Sequence, residues 1–325
     1  METLLGLAAE NLISPIILSF ALGVAAAMAR SDLTFPEAAA KALSLYLLFA
    51  IGFKGGVSVS SHGLDATLVL SLIAGVILSA AIPFVAFALL RVMTRLGTVD
   101  AAAVAGHYGS ISIVTFVAAT SLIQGRGLSS EGYMVAVAAA MEAPAILSAL
   151  WLAARGGAGE GGLDKGLWRE ILLNGSIVLL VGAFLIGMVT GEKGLAEIDS
   201  FIVSPFKGVL CLFLLDMGLV AGRGLRTSRA ILTPGLVGFG LIMPLVGSLF
   251  GFAAGLALGL SAGGVVLLMT LSASASYIAV PAAMRVALPE ANPSVYLTLS
   301  LGITFPFNLT IGIPIYIALA TAAGG

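Results

Sequence analysis

The sequence predicts an all-α polytopic membrane protein of ten transmembrane helices, a 5+5 inverted repeat with two broken helices at spans four and nine. Three observations predict it. First, 59% of the 325 residues are hydrophobic, only 10% are charged, and mean hydropathy is +1.13. Soluble globular chains carry about 25% charged residues. Second, ten segments are long and apolar enough to span a bilayer, given that a span needs about 20 such residues. Third, three motifs recur in the same order in the two halves of the chain.

The spans run roughly 14–30, 38–60, 66–90, 100–124, 132–154, 170–191, 201–222, 231–258, 262–286 and 294–322. Ser14–Arg30 reads as a retained span, since Glu2 and Glu10 and no Lys or Arg precede its apolar run, unlike a signal peptide. Connections are short. The longest is the Gly-rich, charged stretch Arg155–Trp168. It divides the chain into a first repeat, 1–156, a cytoplasmic linker, 157–168, and a second repeat, 169–325. Pro83 and Pro244, in the third span of each half, are expected to mark kinks.

Basic residues orient the chain. Alternate connections on one side collect Arg30, Lys41, Arg91, Arg95, Arg155, Lys165, Arg169, Arg223, Arg226, Arg229 and Arg285, against only Arg126 and Lys193 on the other. The expectation is an inner-membrane protein with both termini outside. Five spans per half then place the second half upside down relative to the first.

The recurring motifs are Phe49–Gly56 with Leu215–Gly222, Ser110–Val117 with Ser274–Pro281, and Met141–Pro144 with Ile303–Pro306. Inverted repeats with paired broken helices point to a secondary transporter with a midplane site. The breaks are read from serine spacing. Ser272, Ser274 and Ser276 recur every second residue, as do Ser110 and Ser112 in Gly106–Thr115. On a helix such neighbours stand about 200° apart, whereas extended backbone lines them up. Unwound backbone at membrane depth must be buried in protein or line a wet cavity.

Two half-helix N-termini at mid-membrane favour an anion, and serine hydroxyls with unwound carbonyls supply hard oxygen ligands for Na+. The alternative is ordinary small-residue helix packing. Glu142, midway along span five and two residues before Pro144, is a candidate cation or proton ligand, because a mid-membrane carboxylate is costly unless paired or protonated. Its alternative is a structural acid. Asp216 in span seven and Lys54 in span two are either coupling or structural charges, and a cross-repeat ion pair between them is one arrangement. Lys54 could instead snorkel outward. His107 beside the first break is a candidate proton carrier, and Asn308, two residues after Pro306, a candidate amide ligand for the cation.

Other functions are excluded on composition. A net charge of −1 argues against a nucleic-acid partner. Cys211, the single cysteine, excludes an intrachain disulfide and a cysteine-based metal cluster. HExxH, Walker A and GxSxG patterns are absent, so the chain is not expected to be an enzyme or an ATP-driven pump.

Through Ser14-Pro15, Ile51-Gly52, Gly55-Gly56, Gly109–Thr115, Pro144, Ser272–Pro281, Ala291–Ser294 and Gly302–Pro314, the chain resembles the sodium-dependent bicarbonate transporter superfamily nearly end to end. The resemblance implies core and gate subdomains, a homo-oligomer (often a trimer), and bicarbonate and Na+ meeting at the broken helices. Residue by residue it implies Gly109, Ser110, Ser112 and Thr115 in span four and Ser272, Ser274 and Ser276 in span nine, with Glu142 where the symporters carry an acid. We assign substrate contacts to Gly109, Ser110, Ser112, Thr115, Ser274, Ser276 and Tyr277, and Na+ to Ser272, Ser274, Glu142 and Asn308. Ile113, Val114 and Tyr277 depart from the smaller or more polar groups of the symporters, which speaks for a short-chain carboxylate over bicarbonate. The short Arg155–Trp168 connection replaces a long cytoplasmic insert and speaks against a small PII-like regulator. The expected function is Na+-coupled symport of a small anion by alternating access. The rivals are a non-transporting membrane receptor that retains the site and a proton-coupled exchanger.

Overall fold

The computed structural model describes residues 13–62, 66–155, 175–227, 232–277 and 279–323. The expected linker and the basic residues Lys165, Arg169 and Arg229 lie outside the described residues.

Among the described residues the chain is helical throughout, with no strand. In chain order the helices are α1 Pro15–Met28, α2 Glu37–His62, α3 Ala66–Met93, α4 Thr98–Gly109, α5 Ile113–Gly125, α6 Met134–Ala140, α7 Glu142–Arg155, α8 Gly175–Ile202, α9 Phe206–Thr227, α10 Pro234–Ala257, α11 Ala262–Ala273, α12 Ala279–Ala287 and α13 Pro293–Ala323. Eight stretches are long and apolar enough to cross a membrane, counting Thr98–Gly125 and Met134–Arg155 each as one. The first expected span appears as the 14-residue α1 and the ninth as the separate pieces α11 and α12.

Local sequence explains where helices begin. Ser14, Thr233 and Asn292 each precede a proline at the first helical turn, and each side chain accepts a backbone N–H two or three residues on. A short polar cap followed by proline uses positions whose N–H groups the helix leaves unpaired. Asn292 N also donates to Asp100 Oδ1 at 2.8 Å, tying the start of α13 to the first turn of α4.

The helices form two packed groups. In the first, α1 lies along α9 and α2 along α8. Glycines set the approach: a side chain at Gly218 would strike Phe20 O and Gly23, and one at Gly222 would meet Ala27 Cβ. Likewise Gly52 faces Leu180 O and Ala183, and Gly56 faces Phe184 O. Small residues at such contacts let backbones pack closely in lipid. The motif glycines that recur between halves therefore do the same work in each.

The second group gathers α3, α4, α7 and α10–α13. Its centre is the Thr98–Gly125 stretch, wholly buried across its apolar window. By contrast α3 and α10 present Val69, Leu70, Ile73, Ile77, Leu245 and Leu249 outward, an apolar surface suited to lipid. Three departures from regular helix went unanticipated. α8 turns at Gly191 (φ 60°), a turn separates α6 from α7 at Met141, and α13 is π-helical over Thr298–Thr304 and Asn308–Gly312.

Candidate functional site

The first break begins where Ser110 adopts extended backbone (φ −85°, ψ 176°) after Gly109. Helix resumes at Ile113 because Ser112 caps it: its Oγ accepts from Thr115 N at 3.2 Å and from Thr115 Oγ1 at 2.8 Å. The second break repeats this. Ser274 is extended (φ −87°, ψ 164°), and Ser276 Oγ accepts Val280 N at 3.3 Å in the first turn of α12. The alternating serines thus divide into a corner residue, Ser110 or Ser274, and a capping residue, Ser112 or Ser276.

The two breaks cross and bond to each other. Ser276 N–H donates to His107 O at 2.8 Å. His107 O is a terminal carbonyl that the interrupted ladder of α4 leaves free. The equivalent link in the other direction is longer by one hydroxyl: Ser112 N–H donates to Ser274 Oγ at 2.9 Å, and Ser274 Oγ donates to Leu271 O at 3.0 Å. In the motif alignment Ser112 pairs with Ser276 and His107 with Leu271, so the two links are one connection made twice.

Two buried hydroxyls at the crossing have no hydrogen-bond partner, Ser110 Oγ and Ser272 Oγ, and Tyr277 OH stands beside the Ser112 hydroxyl. A buried polar group left unpaired costs about 1–3 kcal/mol, and such groups in a folded protein call for an explanation. A bound ion or anion is one. Tyr277 lies edge-on to Phe305 (5.5 Å between ring centroids), which lies edge-on to Phe20 of α1 (5.1 Å). Ile113 and Val114 are buried beside the first break. Gly109 is set against the Pro83 ring, where a β-carbon would collide with Cγ and Cδ.

Glu142 stands at an opened helical turn. Ser79 Oγ donates to Met141 O and accepts Ala145 N at 3.2 Å, so a hydroxyl from α3 sits inside the backbone ladder joining α6 to α7. Side-chain insertion of this kind bends helices, and Pro144, lacking an N–H, holds the opening. Glu142 is 7% exposed and its Oε2 has no partner. Ser79 O lies 2.9 Å from where a Gly109 β-carbon would stand, which brings the opened turn next to the first break. Thr304, the counterpart of Glu142 in the other half, is committed. It donates to Gly240 O at 2.8 Å, the carbonyl that Pro244 leaves unpaired, and bonds to Tyr108 OH.

The remaining sequence candidates are placed as follows. Asn308 donates to Ala273 O at 2.9 Å and accepts from Tyr316 OH at 2.8 Å, clamping the end of α11 to α13. His107 is fully buried, with Nδ1 on Ala103 O at 2.6 Å and its ring stacked on Tyr296 at 4.3 Å. Lys54 and Asp216 form no ion pair with each other. Lys54 Nζ lies 3.9 Å over the Phe206 ring, and Asp216 is buried ten residues further along α9. Among the described residues no group of three or more His, Cys, Asp or Glu converges, so a cation at the crossing would be held chiefly by hydroxyl and carbonyl oxygens. Sequence reasoning missed Ser79, whose only signal is its place four residues before Pro83, and Tyr108 and Phe305, which read as ordinary core.

A cleft runs between the two helix groups. Its upper part, about 390 Å³, lies among the turns around residues 129–133 and 259–261. A narrower part of about 160 Å³ continues inward between α2 and α5 as far as Phe116 and Leu267. Phe116 follows Ser112 by one helical turn, so the cleft approaches the crossing.

The family model of the Na+-dependent bicarbonate transporter superfamily matches residues 15–321. No curated protein matches the chain.

Proposed function

Because the chain belongs to the Na+-dependent bicarbonate transporter superfamily, we propose that it is a secondary active transporter that couples Na+ to the uptake of a small anion by alternating access. One observation carries the reading: two interrupted helices are bonded break to break through Ser276 N–His107 O and Ser112 N–Ser274 Oγ, with two unpaired buried hydroxyls, Ser110 Oγ and Ser272 Oγ, at the crossing. The capped N-terminal turns of α5 and α12 start at that crossing, and their free N–H groups favour a carboxylate or bicarbonate. Glu142 supplies the negative charge that draws in Na+.

In this reading the 5+5 inverted repeat is the frame. Each half's second span (α2, α9) packs through aligned glycines on the other half's first span (α8, α1), as a two-fold relation requires. The first group acts as the gate and the second as the core. The basic-residue bias places the cleft outside and the 157–168 linker in the cytoplasm, with both termini outside, in the inner membrane. The apolar surroundings of the crossing, Ile113, Val114 and the Tyr277–Phe305 pair, favour an anion with an apolar body, a short-chain carboxylate, over strongly hydrated bicarbonate, whose site must replace water with donors.

The test is uptake into liposomes holding the purified protein. Saturable uptake of radiolabelled acetate or bicarbonate driven by an inward Na+ gradient is expected. A pH gradient that replaces Na+ would make it a proton-coupled exchanger. Saturable binding without uptake would make it a receptor.

A further inference from the structure

The cleft holds two charged side chains of opposite fate. Glu131 is anchored in place: Oε1 accepts Ser261 N at 2.7 Å, and Oε2, buried with no hydrogen-bond partner, rests against Gly264 in the first turn of α11, where a helix N-terminus favours negative charge. Lys54 is not neutralised. It is half-buried, both residues line the cleft, and yet no ion pair joins them. Its contact is the Phe206 ring. A cation over an aromatic face recovers about 0.5–2 kcal/mol, less than a charge withdrawn from water within a membrane gives up. The cleft around it is lined by Ser58, one turn further along α2, by Thr120 and Gln124 of α5, and by Ser130 in the turn after α5. Thr120 spends its hydrogen on Phe116 O.

We propose that Lys54, with Gln124 and Ser130, forms a vestibular anion site that captures a singly charged small oxyanion, a carboxylate or bicarbonate, before it reaches the crossing. The ammonium supplies the charge, and the amide and hydroxyl supply directed donors. Gln124 stands twelve residues beyond Ser112, a little over three helical turns along α5 from the crossing. Lys54 belongs to the α2 group and Gln124 and Ser130 to the other, so an anion held between them bridges the surfaces that move past each other in alternating access. The proposal rests on the transport reading only for the identity of the cargo.

Initial uptake rates over a range of anion concentrations test it. Lys54→Gln raises KM roughly tenfold, in line with the loss of electrostatic steering in a cleft, with maximal rate within about twofold, and Lys54→Arg stays close to the unmodified protein. Gln124→Glu changes an exposed residue, places a carboxylate before Lys54 and raises KM as well, which covers the case in which Lys54→Gln fails to fold. An unchanged KM in Gln124→Glu, or equal losses in Lys54→Gln and Lys54→Arg, overturns the site. If the unmodified protein takes up no anion, the transport reading fails instead. The site is then judged by labelling: in a Cys211→Ser background, bicarbonate or acetate slows the reaction of Thr120→Cys, which lines the cleft and leaves Lys54 in place, with an impermeant thiol reagent, and no slowing overturns it.

Discussion

Glu142 and Thr304, each two residues before a proline and paired by the recurring motif, are treated oppositely: Thr304 is bonded on both sides, to Gly240 O and Tyr108 OH, whereas Glu142 Oε2 is buried with no partner. The charge is thereby confined to one half of a paired architecture. Glu142→Gln is expected to express and melt like the unmodified protein while losing its Na+-dependent rise in melting temperature. An unchanged Na+ response makes Glu142 a structural acid.

Ser79, from another helix, holds open the turn that carries that carboxylate. Ser79→Ala lets Ala145 N bond directly to Met141 O, so the cost in stability is small, about 1 kcal/mol or less. The closed turn re-aims Glu142, and the Na+ concentration giving half-maximal stabilisation rises. Thermal melts over a Na+ titration read both quantities. A fall in stability with no change in Na+ response assigns Ser79 to packing alone.

Ser274 carries the longer of the two links across the crossing. Ser274→Ala leaves Ser112 N and Leu271 O without their bridge and is expected to cost about 1–3 kcal/mol, read as a lowered melting temperature in detergent, together with lost uptake. Thr120→Ala, which removes a hydroxyl bonded only within its own helix, should move the melting temperature far less.

Gly109 is required by the Pro83 ring. Gly109→Ala is expected to destabilise by about 1–3 kcal/mol or more through overpacking, and adding Pro83→Ala should recover part of it. No recovery in the double variant would place the strain elsewhere.

Selectivity should follow the side chains beside the breaks. Ile113→Gly and Tyr277→Asp are expected to shift the ratio of bicarbonate to acetate uptake more than they change expression. High-affinity Na+-driven bicarbonate uptake by the unmodified protein would reject a carboxylate preference.

Much of this arrangement was legible in the chain because it is written in local rules. Serines at every second residue cannot share a helix face, and the two stretches that carry them are the two that unwind. Pairs such as Ser14-Pro15 and Asn292-Pro293 start helices for reasons contained within four residues. What stayed hidden depends on partners. Ser79 enters the ladder of another helix, and nothing in its own neighbourhood announces this. Asn308 reads as a cation ligand because an amide near a helix opening has that chemistry, and its clamp between Ala273 O and Tyr316 OH is set by partners that its own neighbourhood does not reveal. Lys54 and Asp216 looked like a pair by charge alone, and the packing of α9 keeps them apart.

The packing of α1 on α9 and of α2 on α8 also bears on biogenesis. Gly23 meets its partner Gly218 only after about 200 further residues have been made, roughly ten to forty seconds at ordinary rates of synthesis. Until then α1 sits in the bilayer with its small-residue face unmatched, and α2 waits similarly for α8. Neither α1 nor α2 completes its packing from the first 155 residues alone, and a chain cut between α7 and α8 would have to bring its two pieces together before either helix was covered.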